Sequence, residues 1–205
     1  MEKFEKIQGI VAPLDRMNVD TDQIIPKQFL KRIERTGFGE FLFFDWRYSD
    51  DGSLNSDFVL NEKRYNNANI LLTRDNFGSG SSREHAPWAI KEYGFRVIIS
   101  PSFADIFYNN CFKNSILPII LPENDIKNLF EIVFSNEGFN LAVDLDKQSI
   151  KGDLGIDITF DIDSFKKKVL LEGLDDISQT LQHENYITNY ENTLKTQRNW
   201  FFPDN

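Results

Sequence analysis

The segment NFGSGSSREHAPW, from Asn76 to Trp88, combines residue types that bind or activate anions. Two glycines and three serines precede an Arg-Glu-His triplet, and the triplet opens a segment with helical character. A polar, flexible loop that enters a helix leaves backbone N–H groups free, and such groups bind anions. This loop is therefore the candidate site of chemistry in the chain.

A capping role is the alternative interpretation of the same loop. Ser81 and Glu84 match the capping box S-x-x-E, in which the serine only caps a helix and the glycines only permit a turn. Pro87 argues against it, because in a helix capped by Ser81 the proline ring would clash with the Arg83 carbonyl. The helix is therefore predicted to start near Glu84, with the preceding N–H groups free.

The chemistry of such a loop favours a small carboxylic acid as substrate. Free N–H groups at a helix start stabilise negative charge, either on a bound carboxylate or on a Ser81 alkoxide that acts as a base. Arg83 adds a two-pronged carboxylate donor that lysine could not replace. Gly78 and Gly80 would let the backbone bend so that its N–H groups approach Ser81 Oγ.

The composition excludes several classes of function. The chain has 205 residues, a formal net charge of −9 and 40% hydrophobic residues, which indicates a globular protein without a basic surface for nucleic acid. Its single cysteine, Cys111, and its two histidines, His85 and His183, have no metal-ligand spacing. We therefore expect no metal site and no cofactor on this chain.

The start of the sequence and its hydropathy predict a cytoplasmic protein. The segment MEKFEKIQGIVAPLD lacks the basic and apolar regions of a signal peptide. No apolar run approaches the roughly 20 residues of a membrane helix, and an acidic surface is repelled by anionic membranes.

The order of predicted elements indicates an α/β fold. Strands are predicted at 6–14, 67–73, 95–100 and 115–121, and helices at 84–93, 101–114 and 123–135. Alternation of apolar strands and helices is typical of a parallel sheet covered by helices. Residues 139–162 alternate with period two and predict a hairpin, and residues 163–194 have helical spacing.

Two motifs together resemble the aconitase superfamily. They are NFGSGSSREHAPW and, upstream, NVDTDQIIP at 18–26. More narrowly, the chain is similar to the small subunits of bacterial isopropylmalate dehydratases, and this likeness also covers TGFGEFLFFDWRY, SFADIFYNNCFKNSILPI and GLDDISQTLQHE. The string G-S-S-R-E-H-A is a specific signature, whereas D-T-D-Q-I alone would be weak.

The resemblance implies a fold, a partner and a reaction. The fold is a swivelling three-layer β/β/α domain of the aconitase C-terminal type, spanning 1–205, with a helical C-terminal extension at about 165–205. The partner is the large subunit of isopropylmalate dehydratase, which would hold a [4Fe–4S] cluster through its own cysteines. The reaction interconverts 2- and 3-isopropylmalate, dicarboxylic hydroxy acids of leucine biosynthesis, by dehydration and rehydration. Alternatives are a dehydratase of citramalate or dimethylmalate, or a non-catalytic anion-binding module.

The resemblance also implies roles for individual residues of the two motifs. The catalytic base falls on Ser81, the substrate carboxylate on Arg83, and a further substrate hydrogen bond on Ser82. Asp22 falls at the edge of the active site, although an aspartate in a turn could equally satisfy local N–H groups. Ser79 stands where such small subunits often have cysteine.

Substrate selection and two other residues complete the expectations. The segment QFLKR at 28–32 falls where relatives select the substrate side chain, and we expect Phe29 or Leu30 to form an apolar wall. His85 is expected to orient the loop or pack at the helix start; a role as acid or ligand is the alternative, because histidine is the usual proton carrier. Cys111, in an apolar helix, is expected to be a buried small hydrophobe.

Overall fold

The computed structural model describes residues 1–32, 36–198 and 200. Residues 33–35, and residues 199 and 201–205 in the predicted extension, lie outside the described residues. The chain divides into two compact units, Met1–Gly173 and Leu174–Asn205.

The described residues contain a seven-stranded sheet in the first unit. Its strands are β1 Ile7–Leu14, β2 Ile70–Thr73, β3 Val97–Ser100, β4 Leu117–Ile120, β5 Asn140–Asp144, β6 Ser149–Gly152 and β7 Asp157–Thr159. The order across the sheet is β4-β3-β2-β1-β5-β6-β7. This mixed sheet with helices confirms the predicted α/β class.

The helices lie between and after these strands. They are α1 Thr21–Ile24, α2 Phe44–Arg47, α3 His85–Tyr93, α4 Asp105–Lys113, α5 Glu123–Ser135, α6 Ser164–Glu172, α7 Asp176–Leu181 and α8 Glu184–Gln197. Short 3₁₀ turns cover Lys27–Lys31, Gly39–Phe41, Val59–Asn61 and Lys63–Tyr65. In the part of the chain that is described, no helix combines the length and the apolarity needed to cross a membrane.

The parallel half of the sheet is formed by β1 to β4, as the sequence predicted. Val11, Ile70, Val97 and Leu117 lie side by side across these four strands and are buried. The strands are apolar along their length because helices cover a parallel sheet on both faces. α3 and α4 are the crossovers that join β2 to β3 and β3 to β4.

The antiparallel half differs from the predicted hairpin. β1 pairs with β5 through Ile7–Ile10, and β5, β6 and β7 follow as a three-stranded meander. Residues 139–152 alternate with period two, but they include the turn that joins β5 to β6. Because the alternation continues through this turn, it does not show where β5 ends. Gln148 in that turn has a φ of 50°, a left-handed conformation that the alternation does not reveal.

Two other predicted elements have different boundaries in the structure. The helix predicted from Pro101 begins at Asp105, because Phe103 is extended and forms a bridge with Phe77. The segment 18–26, in which Asp22 was expected in a turn, contains α1. Asp20 caps that helix: its carboxylate accepts from the Gln23 N–H at 2.8 Å.

The first unit closes at Gly173, not near residue 165. α6 packs Val169 and Leu170 into the core, and the Phe4 N–H donates to the Leu170 carbonyl at 2.9 Å. The Met1 ammonium donates to the Gly173 carbonyl at 2.8 Å. α6 therefore belongs to the first unit, whereas the sequence placed it in the extension. The assignment of the whole chain to a single swivel domain stays a prediction.

The second unit exposes the apolar stripe that the sequence predicted. α7 carries Ile177 and Leu181, which are four residues apart. α8 carries Tyr186 and Tyr190, which are also four residues apart. All four side chains are exposed, and Ile177 is 72% exposed. Among the described residues, no buried hydrophobic side chain lies beyond Leu170.

A chain that ends at Gly173 is expected to fold without the second unit. It keeps the whole sheet and every buried hydrophobic residue described, so its melting temperature should stay within about 5 °C of the full chain in a calorimetric scan. A chain that ends at Asp163 is the matched control. It loses Val169 and Leu170 and should melt far lower, because each buried aliphatic side chain contributes about 2–5 kcal/mol. Loss of cooperative unfolding in the chain ending at Gly173 would contradict the division.

Candidate active site

The candidate loop lies at the carboxyl edge of the parallel strands. Residues 74–84 leave β2 at this edge, and two isolated bridges continue the sheet through the loop. Ser79 bridges to Asp20, which follows β1, and Phe77 bridges to Phe103, which follows β3. Ligands of open α/β sheets bind at this edge. The order of the parallel strands therefore brings both sequence motifs together.

The two glycines give the loop its shape. Gly78 has a φ of 79° and Gly80 a φ of 90°, values that side chains rarely adopt. At Gly78 a Cβ would also come within 2.2 Å of the Phe107 ring, so only glycine fits there. At Gly80 the nearest contact would be 3.4 Å from the Asp20 Cβ, so the backbone conformation alone demands glycine. The bend that the sequence predicted for this loop is present, and the role of the two glycines in the chemistry stays a prediction.

The start of α3 agrees with the position that Pro87 predicted. The helix begins at His85, with Glu84 at its N-cap, and Pro87 is its third residue. Ser81 Oγ accepts no bond from a backbone N–H of any described residue, so the capping-box interpretation is wrong for this structure. Within the described chain, the N–H groups of Gly80–Glu84 likewise have no acceptor, which leaves them available to an anion.

A cavity of about 220 Å³ lies beside this loop. One wall is the loop and the other is the start of α4. The lining residues are Thr21, Gly78, Gly80, Ser81, Ser82, Arg83, Ala104, Asp105, Ile106 and Phe107. The first turn of a helix presents N–H groups and a positive partial charge. The cavity is therefore suited to a small anion that carries some apolar surface.

Arg83 and Asp22 form a two-pronged ion pair across the two motifs. Arg83 Nη1 donates to Asp22 Oδ1 at 2.5 Å, and Nη2 donates to Oδ2 at 3.0 Å. The Arg83 side chain is 11% exposed, whereas that of Asp22 is 41% exposed. Lys27 Nζ also lies 3.8 Å from Asp22 Oδ2. A guanidinium has five N–H donors and Asp22 uses two, so Arg83, which lines the cavity, keeps further donors for a ligand.

Ser81 contacts a residue that the sequence did not single out. Thr21 Oγ1 donates to the Ser81 carbonyl at 2.9 Å and lies 3.5 Å from Ser81 Oγ. The start of α4 was also missed, although parallel topology places the helix that follows β3 at the same sheet edge as the loop. The sequence feature that could have identified Thr21 as a site residue is its position between Asp20 and Asp22 in the upstream motif.

The other predicted residues lie around the cavity or away from it. His85 packs its ring against Phe38 at 5.3 Å and Trp88 at 4.8 Å between centroids. Phe29 and Leu30 are half-buried against the core, and neither is among the residues that line the cavity. The upstream segment thus contributes Thr21 to the wall and Asp22 to the ion pair.

Phe29 is held by other aromatic rings. Its ring stacks on Phe41 at 4.0 Å and meets Phe44 edge-on at 4.8 Å. Leu30, the next residue, is partly buried and packs against the core.

Neither the cysteine nor an acidic cluster provides a metal site in the described residues. Cys111 is fully buried, and burial raises the pKa of its thiol well above the ordinary value, so the thiol stays protonated. This confirms that it is a small core residue. Among the described residues no group of three His, Cys, Asp or Glu side chains is placed to hold a metal ion. With one cysteine in the sequence, the described residues do not fit an iron–sulfur cluster.

Comparison with known proteins gives a consistent family. A family model described as the Aconitase C-terminal domain matches residues 1–124, and the LeuD_N model matches residues 127–164. The 3-isopropylmalate dehydratase small subunit of Leptospira interrogans is 57% identical over 204 residues, which cover 98% of this chain and 99% of that protein. The protein of the same name in Rhodopirellula baltica is 59% identical over 192 residues, with 93% and 98% covered.

A solved structure agrees with these sequence matches. The 3-isopropylmalate dehydratase of Methanocaldococcus jannaschii is 25% identical, with a TM-score of 0.64 over 91% of this chain and 99% of that one. The Aconitase C-terminal domain model and the solved structure agree on the fold, and both relatives carry the name of the small subunit. The chain belongs to the family of 3-isopropylmalate dehydratase small subunits, which carry the aconitase C-terminal domain.

Proposed function

We propose that this chain, together with a large subunit, interconverts 2-isopropylmalate and 3-isopropylmalate by removing and re-adding water. The names of its relatives support this substrate and do not favour citramalate or dimethylmalate. One structural observation carries the proposal further. Ser81, Ser82 and Arg83 line one cavity, beside N–H groups that have no acceptor within the described chain.

Ser81 is the base in this proposal. Dehydration must remove a proton from the carbon beside a carboxylate as the hydroxyl leaves from the neighbouring carbon and a double bond forms. A serine hydroxyl is a weak acid, so its alkoxide must be strongly stabilised. The free N–H groups around Ser81 and the cationic Arg83 supply that stabilisation. Rehydration returns the proton from Ser81 to one carbon and places the hydroxyl on the other.

Arg83 binds and orients a substrate carboxylate, with Ser82 as a further hydrogen-bonding partner. Its side chain is mostly buried, so the ion pair with Asp22 holds the guanidinium at a fixed angle. The remaining donors are then held in fixed directions, so a ligand can bind without further ordering of the side chain. Asp22 therefore acts through Arg83 and does not need to touch the substrate.

The leaving hydroxyl requires a Lewis acid, and the described residues contain no group of side chains that could hold a metal ion. The printed names call the relatives small subunits, which implies a large-subunit partner. We assign to that partner the [4Fe–4S] cluster, which would supply a Lewis acid for the hydroxyl. A heterodimer in the cytoplasm is part of the same proposal.

Leu30 is the better of the two candidates for the apolar wall of the substrate site. Phe29 is engaged with two other rings, and its displacement would break those stacking contacts. Leu30 lies next to it in the 3₁₀ turn Lys27–Lys31, directly after the segment that carries Asp22. We propose that Leu30 contacts the isopropyl group when the two subunits close.

Replacing Ser81 by alanine tests the base. In the assembled enzyme, Ser81→Ala should abolish turnover in both directions and abolish exchange of the substrate C–H with solvent deuterium, measured by NMR. Ser56→Ala, an exposed serine outside the site, is the control and should be unchanged. Exchange at a near wild-type rate in Ser81→Ala would move the base to another residue, and it would leave the loop as a non-catalytic anion site.

Replacing Arg83 by lysine tests carboxylate binding. The charge is kept but the planar fork is lost, so kcat/KM should fall by an amount worth about 1.5–3 kcal/mol. Steady-state kinetics with the large subunit measures the change. Arg64→Lys, at a different ion pair with Glu62, should leave kcat/KM unchanged. Equal kinetic constants for Arg83→Lys and the wild type would exclude Arg83 from the substrate site.

Shortening Leu30 tests substrate selection. Leu30→Ala should lower kcat/KM for isopropylmalate more than for citramalate, because burial of a branched aliphatic group contributes about 1.5–3 kcal/mol. The ratio of the two kcat/KM values is the measurement. Leu54→Ala, at a residue 59% exposed, is the control. An unchanged ratio would remove Leu30 from the pocket without affecting the assignments of Ser81 and Arg83.

A further inference from the structure

Thr21 is buried directly beneath the catalytic loop. Its side chain is 1% exposed, yet the residue lines the same cavity as Ser81. Sixty positions separate the two residues in the chain, and two contacts join them in the fold. The first is a hydrogen bond of 2.9 Å from Thr21 Oγ1 to the Ser81 carbonyl.

We propose that Thr21 is a positioning residue for Ser81, which holds the base in place and stabilises its charged form. The inference rests on the proposed function of Ser81. Thr21 Oγ1 lies 3.5 Å from Ser81 Oγ, and within the described chain this is the one hydrogen-bonding contact that Ser81 Oγ makes. The side chain of Ser81 is otherwise exposed, so this contact is what the fold offers to fix its orientation.

The hydroxyl of Thr21 has one proton and two acceptors within reach. In the uncharged site the proton is donated to the Ser81 carbonyl, so the lone pairs of Thr21 Oγ1 face the Ser81 hydroxyl and accept from it. When Ser81 Oγ carries negative charge, the Thr21 proton can turn to it, because a charged acceptor forms the stronger hydrogen bond. Thr21 therefore favours the charged state of the base without contacting the substrate.

Thr21 itself is rigidly held. Its N–H donates to the Ser79 carbonyl at 2.9 Å, and its carbonyl accepts from the Ile25 N–H at 3.0 Å. The capping box of Asp20 and Gln23 fixes the start of the same short helix. A β-branched side chain has few χ1 rotamers, so its oxygen stays near Ser81.

The test compares Thr21→Val with Thr21→Ser in the enzyme assembled with its large subunit. Valine keeps the shape and removes the hydroxyl, and serine keeps the hydroxyl. We expect Thr21→Val to lower kcat roughly 10- to 100-fold, which corresponds to the loss of one or two hydrogen bonds. KM should change by less than about threefold. Thr21→Ser should recover most of kcat. Solvent-deuterium exchange into the substrate should follow kcat.

Thr73 supplies the matched control. It is also fully buried, at the end of β2, but its Oγ1 has no hydrogen-bond partner among the described residues. Thr73→Val should therefore leave kcat unchanged. If Thr21→Val does not fold, judged by circular dichroism, Thr21→Cys takes its place, because a thiol is a weak donor of similar size to the serine hydroxyl.

The outcomes separate this inference from the proposed function. A wild-type kcat in Thr21→Val, or equal losses in Thr21→Val and Thr21→Ser, would overturn the positioning role. Ser81→Ala is run beside them: if it is inactive while Thr21→Val is unaffected, only the inference on Thr21 fails. If Ser81→Ala is fully active, the function proposed for Ser81 fails first.

Discussion

The close packing of Gly78 on Phe107 is the constraint on which the site depends. A side chain at residue 78 would come within 2.2 Å of the ring, and the φ of 79° would strain it as well. This contact places the loop after β2 against the first turn of α4 and so sets the width of the cavity between them. The directions of the N–H groups in the residues after Gly78 depend on this contact between Gly78 and Phe107.

The acidic chain binds an anion through local groups. With a net charge of −9, the overall field of the protein repels a dicarboxylate. Backbone N–H groups carry no net charge that Asp22 could cancel, and they are fixed in direction before a ligand arrives. Arg83 is partly neutralised by Asp22, but the ion pair orders a long side chain that would otherwise lose entropy on binding. The site thus relies on preorganised donors more than on net charge.

Much of this site was predictable because its signals are local. The glycines, the late helix start imposed by Pro87 and the parallel order of the first four strands all follow from residue type and spacing. The contacts of Thr21 with Ser81 and of Asp22 with Arg83 were not predictable from pattern, because 60 and 61 residues separate the partners. The start of α4 was misplaced since Phe103 pairs with Phe77, a tertiary contact that overrides the helical pattern.

The most direct measurement compares Gly78→Ala with Gly52→Ala in the assembled enzyme. Both glycines have nearly the same φ, 79° and 81°, but among the described residues no atom lies within 4 Å of a Cβ at Gly52. Both variants therefore carry a similar backbone strain of about 1–3 kcal/mol. Only in Gly78→Ala does the new methyl group also clash with the Phe107 ring and push the loop away from it. With both variants folded by circular dichroism, kcat/KM should fall at least about 100-fold in Gly78→Ala, since a shift of about 1 Å has effects of that size. Gly52→Ala should stay near wild type. Wild-type kcat/KM in a folded Gly78→Ala would contradict the central role of the loop geometry.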